Sequence, residues 1–211
     1  MRYLAIGNSL TLHGKCDYWW NEVGMAATCA EKDYFHRVLR YLEETCGAAE
    51  GRAYNFAAWE TQHEDRAARL PDLDALLAEG PDLITLQLGE NARELATWEA
   101  DFTRLIRYIQ RGAPGAKLLV LGDFWAEAGR DEGKARAAAA CGVPFLPLGE
   151  IKENAAYQCG LGTAVLGDDG TPHTVEHPGV AKHPGDRGME AIAARILRTM
   201  NDEEWIMNNY C

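Results

Sequence analysis

Three polar side chains able to support nucleophilic chemistry follow or precede predicted structural elements. Ser9 lies in the segment GNSLT (residues 7–11), directly after an apolar run, where a hydroxyl on a tight turn can attack a carbonyl. Asn91 follows another apolar run, and its amide can donate to an oxyanion. His183 precedes an amphipathic segment, and imidazole suits a general base near neutral pH. Each residue alone also fits a helix cap, a turn or a surface loop, but together they predict one reactive site.

The elements that must position these residues alternate between short apolar runs and amphipathic segments. The runs cover residues 3–6, 53–56, 83–88, 117–121 and 143–146, which suits buried parallel strands. Segments at about 33–45, 70–77, 97–111 and 186–200 have helical spacing. This alternation predicts a parallel sheet covered on both faces, with the site at the carboxyl ends of its strands. Residues 12–32 and 149–182 are expected to form long loops.

Composition limits the classes of partner and the cellular setting. The chain has 211 residues, so one domain over 1–211 is expected. A net charge of −11 without a basic face disfavours nucleic acid and anionic membranes as partners. No apolar run could span a bilayer and no leader precedes the first strand, so a cytoplasmic location is expected. The six cysteines lack C-x-x-C or zinc-type spacing and are expected to be reduced thiols.

Three motifs resemble the conserved blocks of the SGNH (GDSL-type) hydrolases. GNSL (7–10) resembles their GDSL block, with Asn8 in place of Asp. LQLGEN (86–91) resembles the third block, whose Asn side chain donates to the oxyanion, although Ala92 replaces the following Asp. HPGDRGM (183–189) resembles the final block, which carries the catalytic His and leads into a helix.

The resemblance implies both a fold and an activity. The fold would be α/β, a three-layer α/β/α sandwich with a five-stranded parallel sheet, as in flavodoxin-like SGNH hydrolases. The activity would be serine-dependent hydrolysis of a small-molecule ester, such as an acylated sugar, through an acyl-enzyme. Ser9 would be the nucleophile and His183 its base, with no cofactor and no metal.

Two positions depart from the family pattern. Glu60 occupies the place of a Gly whose backbone N–H would complete the oxyanion hole with the Ser9 N–H and Asn91. Its side chain would lie close to the crevice, or would serve only as an acid in the first turn of a helix. Val180 stands where the family has an Asp that orients the His. The Val180 carbonyl, Glu176 and Asp186 are candidates to replace that Asp, and Asp186 also suits a helix N-cap.

Four residues are predicted to line the substrate pocket: Asn8, Trp19, Trp20 and Trp59. Trp19 and Trp20 follow the nucleophile and could stack on a sugar or cover an acyl chain, or could pack their loop onto the domain. HPG at 177–179 repeats the tripeptide at 183–185, but only the second copy leads into a helix. His177 is therefore predicted to be a loop residue near the pocket rim at most.

Other functions remain open at this level. The same chemistry could serve a lysophospholipase, a thioesterase or an acyltransferase. The departures at Glu60 and Val180 favour a catalytically weak carbohydrate-binding module, whereas the retained nucleophile, base and donor favour an enzyme. A metal site would need His173, Glu176, His177 and His183, and the nearby prolines disfavour the helix that would group them.

Overall fold

A computed structural model describes residues 1–202 as a parallel sheet with helices on both faces. The strands are β1 (Arg2–Gly7), β2 (Glu50–Asn55), β3 (Leu83–Gln87), β4 (Lys117–Leu121) and β5 (Phe145–Leu146). They pair in the order β2-β1-β3-β4-β5, all parallel. This confirms the predicted α/β/α sandwich with five strands. Residues 203–211 of the predicted domain, with Cys211, lie outside the described part of the chain.

Helices connect the strands and cover the sheet. They are α1 (Tyr34–Cys46), α2 (Ala57–Thr61), α3 (Arg66–Arg69), α4 (Asp74–Ala78), α5 (Trp98–Gly112), α6 (Arg130–Ala140), α7 (Pro178–Ala181) and α8 (Asp186–Asp202). Short 3₁₀ turns span Ala30–Lys32, His63–Asp65, Leu70–Leu73, Gly149–Ile151 and Ala155–Tyr157. The helices predicted at 33–45, 97–111 and 186–200 are therefore confirmed. The segment at 70–77 is instead a 3₁₀ turn followed by α4, and Pro71 lacks the N–H that would continue α3 into it.

The sheet divides the apolar core into two layers. Along β1, Leu4 and Ile6 point to the cluster formed with α4, α5 and α6. Tyr3 and Ala5 point to the opposite cluster, formed with α1 and α8. Successive side chains of a strand alternate between faces, so a strand buried on both sides is apolar throughout. This geometry leaves the carboxyl ends of β1 and β3 side by side.

The two predicted loops pack on each other and carry more regular structure than expected. Trp19 and Met25 from the first loop join Val165 and Val180 from the second in a third apolar cluster. The second loop contains an antiparallel hairpin, β6 (Ala164–Leu166) and β7 (Pro172–Thr174), and the helix α7. The prediction of one long loop over 149–182 was therefore wrong, because the segment contains a hairpin and a helix. Pro178 begins α7 instead of preventing it, because the first position of a helix needs no N–H donor.

Two further observations concern the chain as a whole. No helix within residues 1–202 is long and apolar enough to cross a membrane. In the same range, no disulfide links the cysteines.

Candidate active site

Ser9 and His183 lie in hydrogen-bond contact at the carboxyl end of the sheet. The Oγ of Ser9 is 2.8 Å from Nε2 of His183, although 174 residues separate them in the chain. Ser9 follows β1 on a turn in which the Asn8 carbonyl accepts from the N–H of Thr11 at 3.0 Å. The turn needs Gly7, because a Cβ there would lie 1.9 Å from Thr11 Oγ1. The structure thus brings the predicted nucleophile and base together.

A backbone carbonyl orients the imidazole of His183. Its Nδ1 lies 2.8 Å from the carbonyl oxygen of Gly179, which can only accept, so Nδ1 carries the proton. Nε2 is then the unprotonated nitrogen that faces the Ser9 hydroxyl. The orienting group is therefore a carbonyl of α7, in place of the family's carboxylate.

The three predicted orienting residues are each engaged elsewhere or exposed. The Val180 carbonyl accepts from the backbone N–H of His183 at 2.9 Å, not from its ring. Glu176 is exposed. The Asp186 carboxylate accepts from the N–H and hydroxyl of Thr28, at 2.8 and 2.7 Å. These predictions were wrong because α7 turns the Gly179 carbonyl toward the ring and Asp186 bonds to the loop before α1.

The surroundings of His183 keep the imidazole neutral. Burial, together with the nearby His13 and His177, lowers the pKa of His183 to about 4, against the opposing hydrogen bond that Nδ1 donates to the Gly179 carbonyl. The Trp125 ring lies edge-on to the imidazole, with 4.8 Å between ring centroids. A neutral imidazole with Nε2 free of a proton is the form that can accept the proton of Ser9.

A cavity of about 280 Å³ opens over Ser9 and His183. Its other lining residues come from the first loop, the end of β2, α2, Asn91 and α7: His13, Tyr18, Met25, Asn55, Ala57, Thr61, Asn91, His177, Gly179 and Val180. Asn91, the predicted oxyanion donor, therefore faces the same cavity as Ser9, the predicted nucleophile. Tyr18 at the rim is 41% exposed and stacks on His177, with ring centroids 4.2 Å apart.

Glu60 lies in the first turn of α2, which is one of the two placements predicted for it. It does not line the cavity. Its side chain is 1% exposed and turns behind the cavity wall. There the Oε2 atom accepts from Nδ2 of Asn91 at 2.7 Å, and Oε1 accepts from Nδ2 of Asn8 at 3.1 Å. The carboxylate of Glu60 thus contacts the Asn91 amide, whereas an oxyanion role for the Glu60 backbone N–H stays a prediction.

The four predicted pocket residues lie outside the cavity. Asn8 is fully buried and bonded to carboxylates behind Ser9. Trp19 is buried in the cluster between the two loops, and Trp59 packs against Trp98 and Phe102 in the main core. Trp20 stacks on His173 in a separate surface depression. Large apolar rings gain more from full burial than from lining a wet cavity, which explains the placement of Trp19 and Trp59.

Sequence reasoning missed the contribution of the first HPG tripeptide. His177 caps the N-terminus of α7, with its Nδ1 accepting from the N–H groups of Gly179 and Val180 at 3.2 and 3.4 Å. The same helix presents the Gly179 carbonyl to His183. The repeat itself was a usable signal, since the two copies meet in space. His173, Glu176, His177 and His183 form no metal-binding group within residues 1–202.

The fold and the contact between Ser9 and His183 can be set beside known proteins. A five-stranded parallel sheet carries Ser9 and His183 in contact at its carboxyl end. Comparison with solved structures shows that the chain has the SGNH (GDSL-like) hydrolase fold.

Three solved structures illustrate the likeness. A two-domain esterase (CEX) active on acetylated mannans, co-crystallized with mannopentaose, superposes with a TM-score of 0.64 at 15% identity, over 97% of this chain and 50% of that one. TesA superposes with a TM-score of 0.59 at 16% identity, over 96% of this chain and 99% of that one. The lipase/acylhydrolase from Enterococcus faecalis superposes with a TM-score of 0.55 at 17% identity, over 96% of this chain and 97% of that one. The chain thus spans half of the two-domain esterase and nearly all of the other two. No protein-family model and no curated protein matches the sequence.

Proposed function

We propose that this protein is a serine-dependent ester hydrolase that acts through an acyl-enzyme. The observation that carries the proposal is the 2.8 Å contact between Ser9 Oγ and an unprotonated Nε2 of His183. Ser9 attacks the ester carbonyl while His183 takes the hydroxyl proton. His183 then returns this proton to the leaving alcohol, and water attacks the acyl-enzyme in the same way.

The oxyanion of the tetrahedral intermediate needs donors on the cavity wall. The Asn91 amide has two N–H groups, of which one is directed at Glu60, leaving the other for the oxyanion. The backbone N–H of Ser9 is the second proposed donor. Each such donor contributes roughly 3 kcal/mol of transition-state stabilisation in related chemistry.

The size and rim of the cavity favour a short acyl group on a polar alcohol. A volume of about 280 Å³ is at the lower end of ligand pockets, which favours an acetyl group over a long chain. The exposed Tyr18 ring at the rim offers a flat surface for a sugar. An acetylated sugar is therefore the proposed substrate class, and it agrees with the activity named for the two-domain esterase on acetylated mannans.

The test compares the wild type with Ser9→Ala and His183→Ala on p-nitrophenyl esters from acetate to laurate. We expect hydrolysis of the acetate by the wild type and a loss of at least about 10³-fold in kcat in both variants, with unchanged circular dichroism. Ser9 is the only serine of the chain, so a fluorophosphonate probe provides an independent readout. It should label the wild type at Ser9 and leave Ser9→Ala unlabelled.

Either of two results would contradict the proposal. Full esterase activity in folded Ser9→Ala would remove Ser9 as nucleophile. A folded wild type that cleaves no ester and takes up no fluorophosphonate would point to a binding module. Preference for laurate over acetate would retain the mechanism but replace the acetyl substrate by a long-chain one.

A further inference from the structure

We propose that Glu60 is a positioning residue, whose buried carboxylate fixes the side-chain amide of Asn91 so that one N–H faces the cavity. This inference rests on the proposed function, because it assigns a role in the same reaction. It concerns the position at which related hydrolases carry a glycine, so it describes a different construction of the oxyanion site.

The contacts of Glu60 hold both the side chain and the backbone around Asn91. Oε2 accepts from Asn91 Nδ2 at 2.7 Å. Oε1 accepts from the backbone N–H of Gly89, which precedes Asn91 by two residues. Oε1 also lies 3.5 Å from the backbone nitrogen of Asn91 itself. One carboxylate therefore bonds to the backbone of the turn after β3 and to the side-chain amide of Asn91 on that turn.

The same carboxylate is linked to the turn of the nucleophile. Asn8 Nδ2 donates to Glu60 Oε1 at 3.1 Å and to Glu90 Oε2 at 2.7 Å, while its Oδ1 accepts from the N–H of Leu10. An Asp at position 8, as in the GDSL block, would place a third carboxylate against the other two. Asn8 instead supplies a donor to Glu60, so the departures from the family pattern at positions 8 and 60 are chemically compatible.

The ionised form of Glu60 is the one that fits these contacts. Every group that bonds to its carboxylate donates a hydrogen, whereas a protonated carboxyl would have an O–H that needs an acceptor. The charged side chain facing it is Glu90, after β3, while Arg66 from α3 donates to its backbone carbonyl at 3.3 Å. Beyond Glu90, Arg130 and Lys134 of α6 flank Asp123. Burial, followed by the charge of Glu90, raises the pKa of Glu60 to about 7, against the hydrogen bonds from Asn91, Gly89 and Asn8. Acidification through neutral pH therefore protonates the carboxylate and weakens the proposed holding contact.

The experiment compares kcat, KM and the pH profile of the wild type, Glu60→Gln, Asn91→Ala and the double variant, with short-chain p-nitrophenyl esters. Gln presents an N–H₂ on one side, so it cannot accept both from the Asn91 amide and from the donors on its other edge. Either the amide or the turn after β3 therefore loses its acceptor. We expect kcat of Glu60→Gln to fall about 10- to 100-fold, within the loss expected for one oxyanion donor, with KM changed little. Glu64→Gln is the matched control, because Glu64 is exposed shortly after α2 and should retain wild-type kinetics.

Two readouts separate positioning from a merely structural role. If Glu60 acts through Asn91, the double variant loses no more activity than Asn91→Ala alone. The wild-type kcat should rise as the pH increases through 7, and this step should be absent from both Glu60→Gln and Asn91→Ala. The step cannot come from His183, because the pKa of His183 is far lower. Asn91→Ala leaves the buried charges intact, so it tests the pH step even if Glu60→Gln fails to fold.

The inference is overturned if Glu60→Gln keeps wild-type kcat, if the losses in the double variant add, or if the pH 7 step persists in Asn91→Ala. Any of these results, together with an inactive Ser9→Ala, would reject only the role of Glu60 and leave the proposed function in place. Activity that survives Ser9→Ala would instead reject the proposed function.

Discussion

His183 shows at the level of single residues how a carbonyl can take the place of a carboxylate. The Gly179 carbonyl fixes the tautomer by accepting from Nδ1, but it carries no full charge to stabilise the imidazolium. Burial therefore dominates and lowers the pKa of His183 to about 4. As the proposed base, His183 is weaker than the histidine of a triad but is in its accepting form at neutral pH. The oxyanion donors consequently carry a larger share of the proposed catalysis.

Tyr18 is the residue at which substrate preference can be tested. Its exposed ring at the cavity rim should stack on a sugar but contribute little to a small aliphatic ester. We expect Tyr18→Ala to raise KM for an acetylated mannose oligomer about 2- to 10-fold, the value of one stacking contact of about 0.5–1.5 kcal/mol. The KM for vinyl acetate should not change. Tyr18→Phe keeps the ring and is the control; equal effects of both variants on the sugar ester would argue against stacking.

At the level of elements, α7 connects His177 at the rim of the cavity with His183, the proposed general base. The helix has four residues and begins at Pro178, so its stability depends on the His177 cap. We expect His177→Ala to loosen the Gly179 carbonyl and to lower kcat about 3- to 10-fold, since losing a cap costs about 1 kcal/mol. His177→Asn restores a cap without the imidazole ring and should recover most of kcat. A kcat that falls equally in both variants would assign the effect to the ring instead.

The sequence predicted those elements whose side chains carry a clear apolar period. The ends of β1 and β3 could be located from apolar runs, which placed Ser9 and Asn91 at one edge of the sheet. The helix α6 was not predicted, because its sequence RDEGKARAAAA has no stripe of large apolar residues. The hairpin and α7 were missed because their contacts are with the distant first loop. The Gly179 carbonyl could not be found by any pattern, since every residue has one.

At the level of the whole molecule, a buried charged network supports the site from behind. Glu90 accepts from Asn8 beside the nucleophile, and its backbone carbonyl accepts from Arg130 of α6 at 3.2 Å. Arg130 in turn pairs with Asp123 at 2.7 Å. These residues are distant in sequence and meet only because β3 and β4 pair and α6 packs over them. Charge composition alone could not predict such a network, since charged residues are ordinarily expected at the surface.

Lys134 is the cation whose removal should affect the entire fold. It is fully buried, and its Nζ donates to Asp123 Oδ1 at 2.5 Å and to the Leu88 and Leu121 carbonyls at 2.9 and 2.8 Å. We expect Lys134→Met to lower the free energy of unfolding by about 3–5 kcal/mol, because Asp123 would lose one of its two buried cations and two carbonyls would lose a donor. Urea denaturation at neutral pH measures this difference.

The matched control is Lys152→Met, which also removes a lysine paired with an acid near α6. Lys152 bonds Asp131 at 2.6 Å but remains partly exposed, so its loss should cost less than about 1 kcal/mol. A similar loss in both variants would mean that burial of Lys134 adds nothing. If instead Lys134→Met is as stable as the wild type, Arg130 alone neutralises Asp123, and the network serves to fix the positions of Asn8 and Glu90 more than to stabilise the fold.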